Sequence, residues 1–157
     1  MNILVLCTGN SARSILLECL LNRLSNGRVQ AFSAGSKPAG KVHPQSITIL
    51  KANGFATEGL RSKSWDEFGA NGAPEMDAVI TVCGAAAGET CPMWAGAPLR
   101  AHWGVEDPAA AAPEQWEAAF QLAFDQLHAR AKALCDLSLA GMDKSTLGKE
   151  LTRIGSL

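Results

Sequence analysis

The chain has 157 residues, the size of one domain. Its hydrophobic content of 47% and charged content of 18% exclude a disordered chain, and 14 basic against 15 acidic side chains leave a net charge of −1. That balance excludes the basic face of a nucleic-acid or anionic-membrane protein, and no apolar run approaches the roughly 18–20 residues of a membrane span.

The first element is Asn2-Ile-Leu-Val-Leu6, an aliphatic run that reads as a strand and ends in the turn material Cys-Thr-Gly-Asn-Ser. From Ser14, the positions Ile15, Leu16, Leu20, Leu21 and Leu24 recur at helical spacing until Asn26-Gly27 stops them. Arg28 to Ala34 reads as a second strand closed by Gly35, and His43 to Ala52 as a second helix with Pro44 in its first turn. Ser64 caps a short turn through Phe68. Asp77 to Val82 is a third strand, apolar enough to be buried on both faces. Residues 84–98, rich in Gly, Ala and Pro, are expected to form a mobile loop or frayed helix. Leu99 to Trp103 gives a fourth strand. Pro113 opens the longest helix, with Trp116, Phe120, Phe124, Leu127, Ala131 and Leu134 in one stripe. From Met142 onward the pattern is only weakly helical.

Alternating strands and helices imply parallel β-α-β units. The expected fold is a three-layer α/β sandwich with a four-stranded parallel sheet. Residues 1–139 form one catalytic domain in this reading, and 140–157 a tail packed on it or extending from it. Ligands of such sheets bind beyond the carboxyl ends of the strands. Cys7 follows the first strand, Cys83 the third and Asp107 the fourth, so all three belong to one rim.

Five cysteines, Cys7, Cys19, Cys83, Cys91 and Cys135, make an odd number. No basic segment precedes the apolar Ile3–Cys7 run, so no export signal is expected, and the compartment that follows is the cytoplasm, where thiols stay reduced. Catalytic, redox-active or buried cysteines are expected rather than structural bridges. The spacing of Cys83 and Cys91 does not suit zinc, and no metal is expected. Cys19 and Cys135 read as core residues and His43 as a polar helix cap. His102 and Trp103 read as residues that shape a loop, and Arg28, Lys37, Lys41 and Lys51 as solvated charge.

The strongest signal is Cys7-Thr-Gly-Asn-Ser-Ala-Arg13-Ser14, a C-x5-R-S loop between strand and helix. Gly9 lets the backbone curl. The amides of Thr8, Gly9, Asn10, Ser11, Ala12 and Arg13 can point at a tetrahedral oxyanion, and the helix N-terminus adds its positive end. Arg13 can grip two oxygens with its fork. Ser14 can donate to the Cys7 sulfur, and Asn10 can brace the loop. The same positive environment is expected to pull the Cys7 thiol below the free value of about 8.5.

This loop resembles the anion loop shared by low-molecular-weight protein tyrosine phosphatases and the arsenate reductases built on the same fold. Ser33-Ala-Gly35, Asp77 to Cys83, Cys91-Pro92 and His102-Trp-Gly-Val-Glu-Asp-Pro108 resemble the reductases of the thioredoxin-coupled type in particular, and the likeness runs from Met1 to about Leu139. It implies Cys7 as nucleophile, Arg13 as oxyanion clamp and Asp107 as general acid, with Glu106 as the backup carboxylate. Phosphatases of this fold tend to carry aromatic residues after Asp-Pro to hold a phosphotyrosine ring. Here Ala109 to Ala112 follow, and the chain has no Tyr. Such a site suits a small inorganic oxyanion. The alternatives are a phosphatase acting on small aryl phosphates or phosphotyrosine, and a phosphocarrier-like anion-binding domain.

The resemblance further implies reduction of arsenate through a Cys7/Cys83/Cys91 disulfide relay. No cofactor is implied, and the reductant is thioredoxin, favoured over glutaredoxin with glutathione. Eight helical steps from Cys83 to Cys91 rise about 12 Å, whereas a disulfide needs Cα atoms roughly 4.4–6.8 Å apart. The reduced form is therefore expected to hold Cys83 and Cys91 unbonded, and the oxidised form to loop the segment out. A monomer is expected. Some of these reductases bind potassium near Asn10, Glu18, Ser33 and an acidic residue after the second helix. Trp65 stands at that last position, with Asp66 its only substitute, and this counts against the ion.

Overall fold

A computed structural model describes residues 1–84, 94 and 98–157. Its sheet has four strands, all parallel, in the order β2-β1-β3-β4. β1 (Asn2–Cys7) lies at the centre, flanked by β2 (Gln30–Gly35) and β3 (Ala78–Thr81), with β4 (Leu99–His102) at the edge. Among the described residues the helices are α1 (Arg13–Leu24), α2 (Pro44–Ala52), the single turn α3 (Asp66–Gly69), α4 (Trp116–Cys135) and α5 (Lys144–Gly155). Two short 3-10 turns, Pro108–Ala110 and Pro113–Gln115, precede α4. The predicted α/β architecture with a four-stranded parallel sheet is what the chain adopts.

Successive side chains of a strand point to opposite faces, and β1 is apolar at every position from Ile3 to Cys7. Ile3 and Val5 therefore join the larger core with Ile15, Leu16 and Leu20 of α1 and Phe120, Leu127 and Leu134 of α4. Leu4 and Leu6 face the other way, into a smaller layer with Ala34, Phe68, Met76, Val79 and Trp94. A strand covered on both faces has little freedom to slip, because a one-residue shift would send each set to the wrong layer. The register sets Cys7 opposite Gly35 and Leu6 opposite Thr81.

Several boundaries differ from the sequence reading, each for a local reason. β3 is shorter than Asp77–Val82, yet the Asp77 N–H donates to the Asn2 carbonyl and the Val82 N–H to that of Leu6, so pairing continues past both ends. β2 begins two residues after Arg28. That arginine is exposed, but it is not simply solvated: its guanidinium donates to the carbonyls of Ser25, Leu137 and Cys135 and ties the α1–β2 turn to the end of α4. The expected loop over 84–98 lies mostly outside the described residues.

The weakly patterned tail forms a full helix. Leu147, Leu151 and Ile154 of α5 are buried in the larger core, and the Asp143 carboxylate caps the helix by accepting from the Thr146 N–H. α5 packs beside β4 around Trp103, which is fully buried and donates from Nε1 to the Leu151 carbonyl at 2.8 Å. A Cβ on Gly155 would stand 2.6 Å from the His102 carbonyl oxygen, so glycine is what allows this approach. Cutting Trp103 to alanine removes a large core side chain and one hydrogen bond. Trp103→Ala is expected to cost about 3–5 kcal/mol of unfolding free energy, measured by urea denaturation.

Candidate active site

The site lies where the carboxyl ends of β1, β2 and β3 meet, with the β4 loop closing one side. Its floor is the turn from Cys7 to α1. The carbonyls of this turn are tied outward: Thr8 accepts from the Lys37 N–H, Gly9 from the Ala39 N–H and the Ser62 hydroxyl, and Ser11 from the His43 N–H and the Ser46 hydroxyl. The Ala12 carbonyl accepts from Leu16 and enters the α1 ladder. In a trans peptide the N–H points opposite to the carbonyl. The N–H groups of Gly9, Asn10, Ala12 and Arg13 are thus turned to the inner side. Among the described residues no side chain caps α1, so its N-terminus also opens there.

Asn10 sits at φ 45, the left-handed region that asparagine tolerates better than most residues. It is fully buried, and both ends of its amide are used: Oδ1 accepts from the Lys63 N–H at 3.0 Å, and Nδ2 donates to Ser14 Oγ at 2.8 Å. The expected brace is present. Gly35 forms the loop's back wall, and a Cβ there would stand 2.4 Å from the Thr8 carbonyl oxygen and 3.0 Å from that of Cys7.

Arg13 is held by the β4 loop. Its Nη1 donates to the Val105 carbonyl at 2.9 Å, and its Nη2 lies 3.6 Å from Asp107 Oδ2. Its Nε is buried and has no hydrogen-bond partner among the described residues. Asp107 is half exposed. One oxygen caps the turn at Pro108 by accepting from the Ala109 N–H, which leaves the other toward Arg13. Val105, in turn, is fixed by its N–H to the Val82 carbonyl. Behind it, the His102 ring lies 2.7 Å from the Thr81 hydroxyl. His102 and Trp103 shape this loop, as expected.

Cys7 and Cys83 are both buried, and the rim brings them close to each other. Thr8 Oγ1 lies 3.5 Å from the Cys83 sulfur. The expected depression of the Cys7 thiol is not what this arrangement gives. The hydrogen bond to Cys83 pushes it above its ordinary value, and burial adds to that, while the Arg13 charge and the Gly9 N–H pull it down. Two thiols this close titrate as a pair, and once one carries the charge the other holds its proton more tightly. The reach of Arg13 and the rim position of Cys83 were both legible in the sequence; that Cys83 would oppose Arg13 at the Cys7 thiol was not. Cys91 lies outside the described residues.

Cys19 and Cys135 pack in the core, as read, and burial pushes the Cys19 thiol up to about 12. His43 caps α2 by accepting from the Gln45 N–H, and its ring packs against Trp116 and Phe120. Glu106 lines the same wall as Asp107 and Ala111. Sequence reasoning missed the strand-like segment behind the loop. Its Ser62, Lys63 and Ser64 bridge Gly35 and the anion turn, but a lysine between two serines carries no periodic signal. The oxygens of Glu18, Ser33 and Asn10 do not fit a potassium ion here. The Lys63 ammonium already lies among them, 3.3 Å from Ser33 Oγ and 4.0 Å from Glu18 Oε1, and Asn10 Oδ1 is used by the Lys63 N–H.

Residues 2–151 match the family described as low molecular weight phosphotyrosine protein phosphatase. An arsenate reductase of Bacillus subtilis (strain 168) is 34% identical over 134 residues, which cover 83% of this chain and 92% of that protein. One from Halalkalibacterium halodurans is 32% identical over the same shares. Among solved structures, an arsenate reductase from Archaeoglobus fulgidus superposes with a TM-score of 0.68 at 24% identity, over 86% of this chain and 99% of that one. A thioredoxin-dependent arsenate reductase from Corynebacterium glutamicum gives 0.62 at 25%, over 85% and 59%.

Two outcomes follow from the geometry. Gly35→Ala is expected to displace the Thr8 carbonyl and lower turnover about 10²-fold, with stability followed by thermal melting to separate the two effects. Cys83→Ala removes the largest influence raising the Cys7 thiol. The pH midpoint of Cys7 alkylation by iodoacetamide should therefore fall relative to the wild type.

Proposed function

The chain belongs to the low molecular weight phosphotyrosine protein phosphatase family, and from that premise we propose that it reduces arsenate to arsenite. The observation that carries this reading is the near approach of Cys83 to Cys7 on the floor of an oxyanion loop. Hydrolysis of a phosphate ester needs one thiol. A second thiol near the first suits a reaction in which two electrons must leave as a disulfide. The named relatives agree with this assignment.

In the proposed sequence, arsenate binds to the inner N–H groups and to Arg13, whose buried Nε supplies a further donor. The Cys7 thiolate attacks arsenic, and a sulfur–arsenic bond forms as one oxygen leaves. Asp107 protonates that oxygen, which departs as water. Cys83 then attacks the Cys7 sulfur, and its proton passes to an oxygen of the departing arsenite. The sulfur–arsenic bond breaks with its electron pair going to arsenic, so arsenic(V) becomes arsenic(III) and the two thiols become one disulfide. The pair's retained proton is useful here: one sulfur is charged for the first attack while its neighbour stays protonated.

Cys91 takes over from Cys7 by attacking Cys83, which returns Cys7 to its thiol and moves the disulfide outward. Thioredoxin is the favoured reductant of the Cys83–Cys91 disulfide, ahead of glutaredoxin with glutathione. This chemistry needs the reducing cytoplasm. The small, alanine-lined wall after Asp107 supports an inorganic oxyanion over a phosphotyrosine ring.

Cys7→Ser is expected to abolish arsenate-dependent NADPH oxidation coupled through thioredoxin and its reductase, and full retention would remove the assignment. After one turnover without reductant, peptide mapping of the wild type should find Cys83 joined to Cys91. A free Cys91 with Cys7 joined to glutathione would instead establish the glutaredoxin route.

A further inference from the structure

Directly behind the anion loop lies a charged cluster that the proposed reaction does not use. The Lys63 side chain is only 9% exposed and that of Glu18 14%, although both groups are ionisable. The Lys63 ammonium donates to Ser33 Oγ at 3.3 Å and to the Arg61 carbonyl at 3.3 Å, and lies 4.0 Å from Glu18 Oε1. The Ser33 hydroxyl donates in turn to Glu18 Oε2 at 3.0 Å. Three oxygens from α1, β2 and the segment before Ser64 thus converge on one positive charge.

The same residue reaches the loop through its backbone. Its N–H donates to Asn10 Oδ1, and its carbonyl accepts from the Gly35 N–H at 2.9 Å. Its neighbour Ser62 holds the Gly9 carbonyl. The residue whose ammonium sits among these oxygens thus also holds the Asn10 amide, and Asn10 is the one non-glycine residue of the loop in left-handed backbone. Burial weighs against both charges, raising the Glu18 carboxyl and lowering the Lys63 ammonium from their ordinary values. A carboxylate this deep needs a cation beside it.

We propose that Lys63 is a built-in cation: its ammonium does for Glu18, Ser33 and the Arg61 carbonyl what a bound monovalent metal ion would do, and through Asn10 it positions the anion loop. Lys63 is a positioning residue, since it contacts no reacting atom. The chain is consequently indifferent to the choice of monovalent salt. Removing the ammonium leaves a carboxylate, a hydroxyl and a carbonyl facing a gap of cation size, a donor set suited to a hard cation. The proposal stands apart from the arsenate reading, because the loop's geometry can be read without turnover.

The test compares wild type and Lys63→Ala in potassium, sodium and choline chloride at matched ionic strength, reading the rate of Cys7 alkylation and the melting temperature. Wild type is expected to give the same values in all three salts. In choline chloride the variant should alkylate at least about tenfold more slowly or more quickly than wild type and melt lower, and potassium should restore both values. If the variant does not fold in choline chloride, its folded fraction becomes the readout, and recovery in potassium supports the proposal. The double variant Glu18→Gln with Lys63→Met, which removes both charges, should fold and ignore the salt. Potassium-specific activation of the wild type would overturn the proposal, as would a Lys63→Ala protein equal to wild type in choline chloride or one equally impaired in all three salts.

Discussion

The outward anchoring of the loop carbonyls is the constraint on which the rest of the site depends. A seven-residue turn offers equal numbers of donors and acceptors, and left to itself it would present both to a ligand. Here Lys37, Ala39, Ser62, His43 and Ser46 hold the carbonyls of Thr8, Gly9 and Ser11. Those residues come from the stretch after β2, from the start of α2 and from the segment before α3. The donors are thus gathered inside only because three separate parts of the chain have taken the acceptors outside. An anion meets a surface of one sign that was organised before it arrived, and that lowers the reorganisation needed during reaction.

The opposing influence of Cys83 gives this surface a second role. An oxyanion loop by itself favours a thiolate at Cys7. A buried second thiol close by disfavours it, and the two effects are set against each other at one sulfur. For phosphate transfer the second thiol would only be a hindrance. In the proposed reduction it is the group that attacks next, so its nearness would serve the second step at some expense to the first.

Much of this was legible in the chain. β1, α1 and α4 declare themselves through apolar spacing, and the Cys7–Ser14 motif places the loop between a strand and a helix. The rim position of Cys83 and Asp107 follows from strand order alone. What was not legible depended on contacts distant in sequence. Arg28 looks like any surface arginine until the end of α4 comes beside it. Lys63 looks the same until α1 brings Glu18 to it. The raised Cys7 thiol could not be read from the loop, because its main cause is a residue 76 positions away. α5 was faint because its apolar residues are few; β4 and Trp103 supply the partner that its own pattern only hints at.

That last association bears on the order in which the molecule is completed during synthesis. Cys7 and the whole anion turn emerge from the ribosome before the Asp107 loop, with β1 and α1. The loop that carries Asp107 rests on Trp103 and Gly104, and these are held by residues that emerge late: Leu151 accepts from Trp103, and Arg130 bridges the carbonyls of Gly104 and Leu157. A nascent chain that has reached only α4 has the anion turn but lacks the Leu151 carbonyl that holds Trp103 and the Leu157 carbonyl that holds Arg130. Domains generally fold as units while they are made, and partly folded ones expose reactive surface. In this chain the anion turn and the last supports of the Asp107 loop are separated in time, and the loop is fully tied down only after α5 has been made.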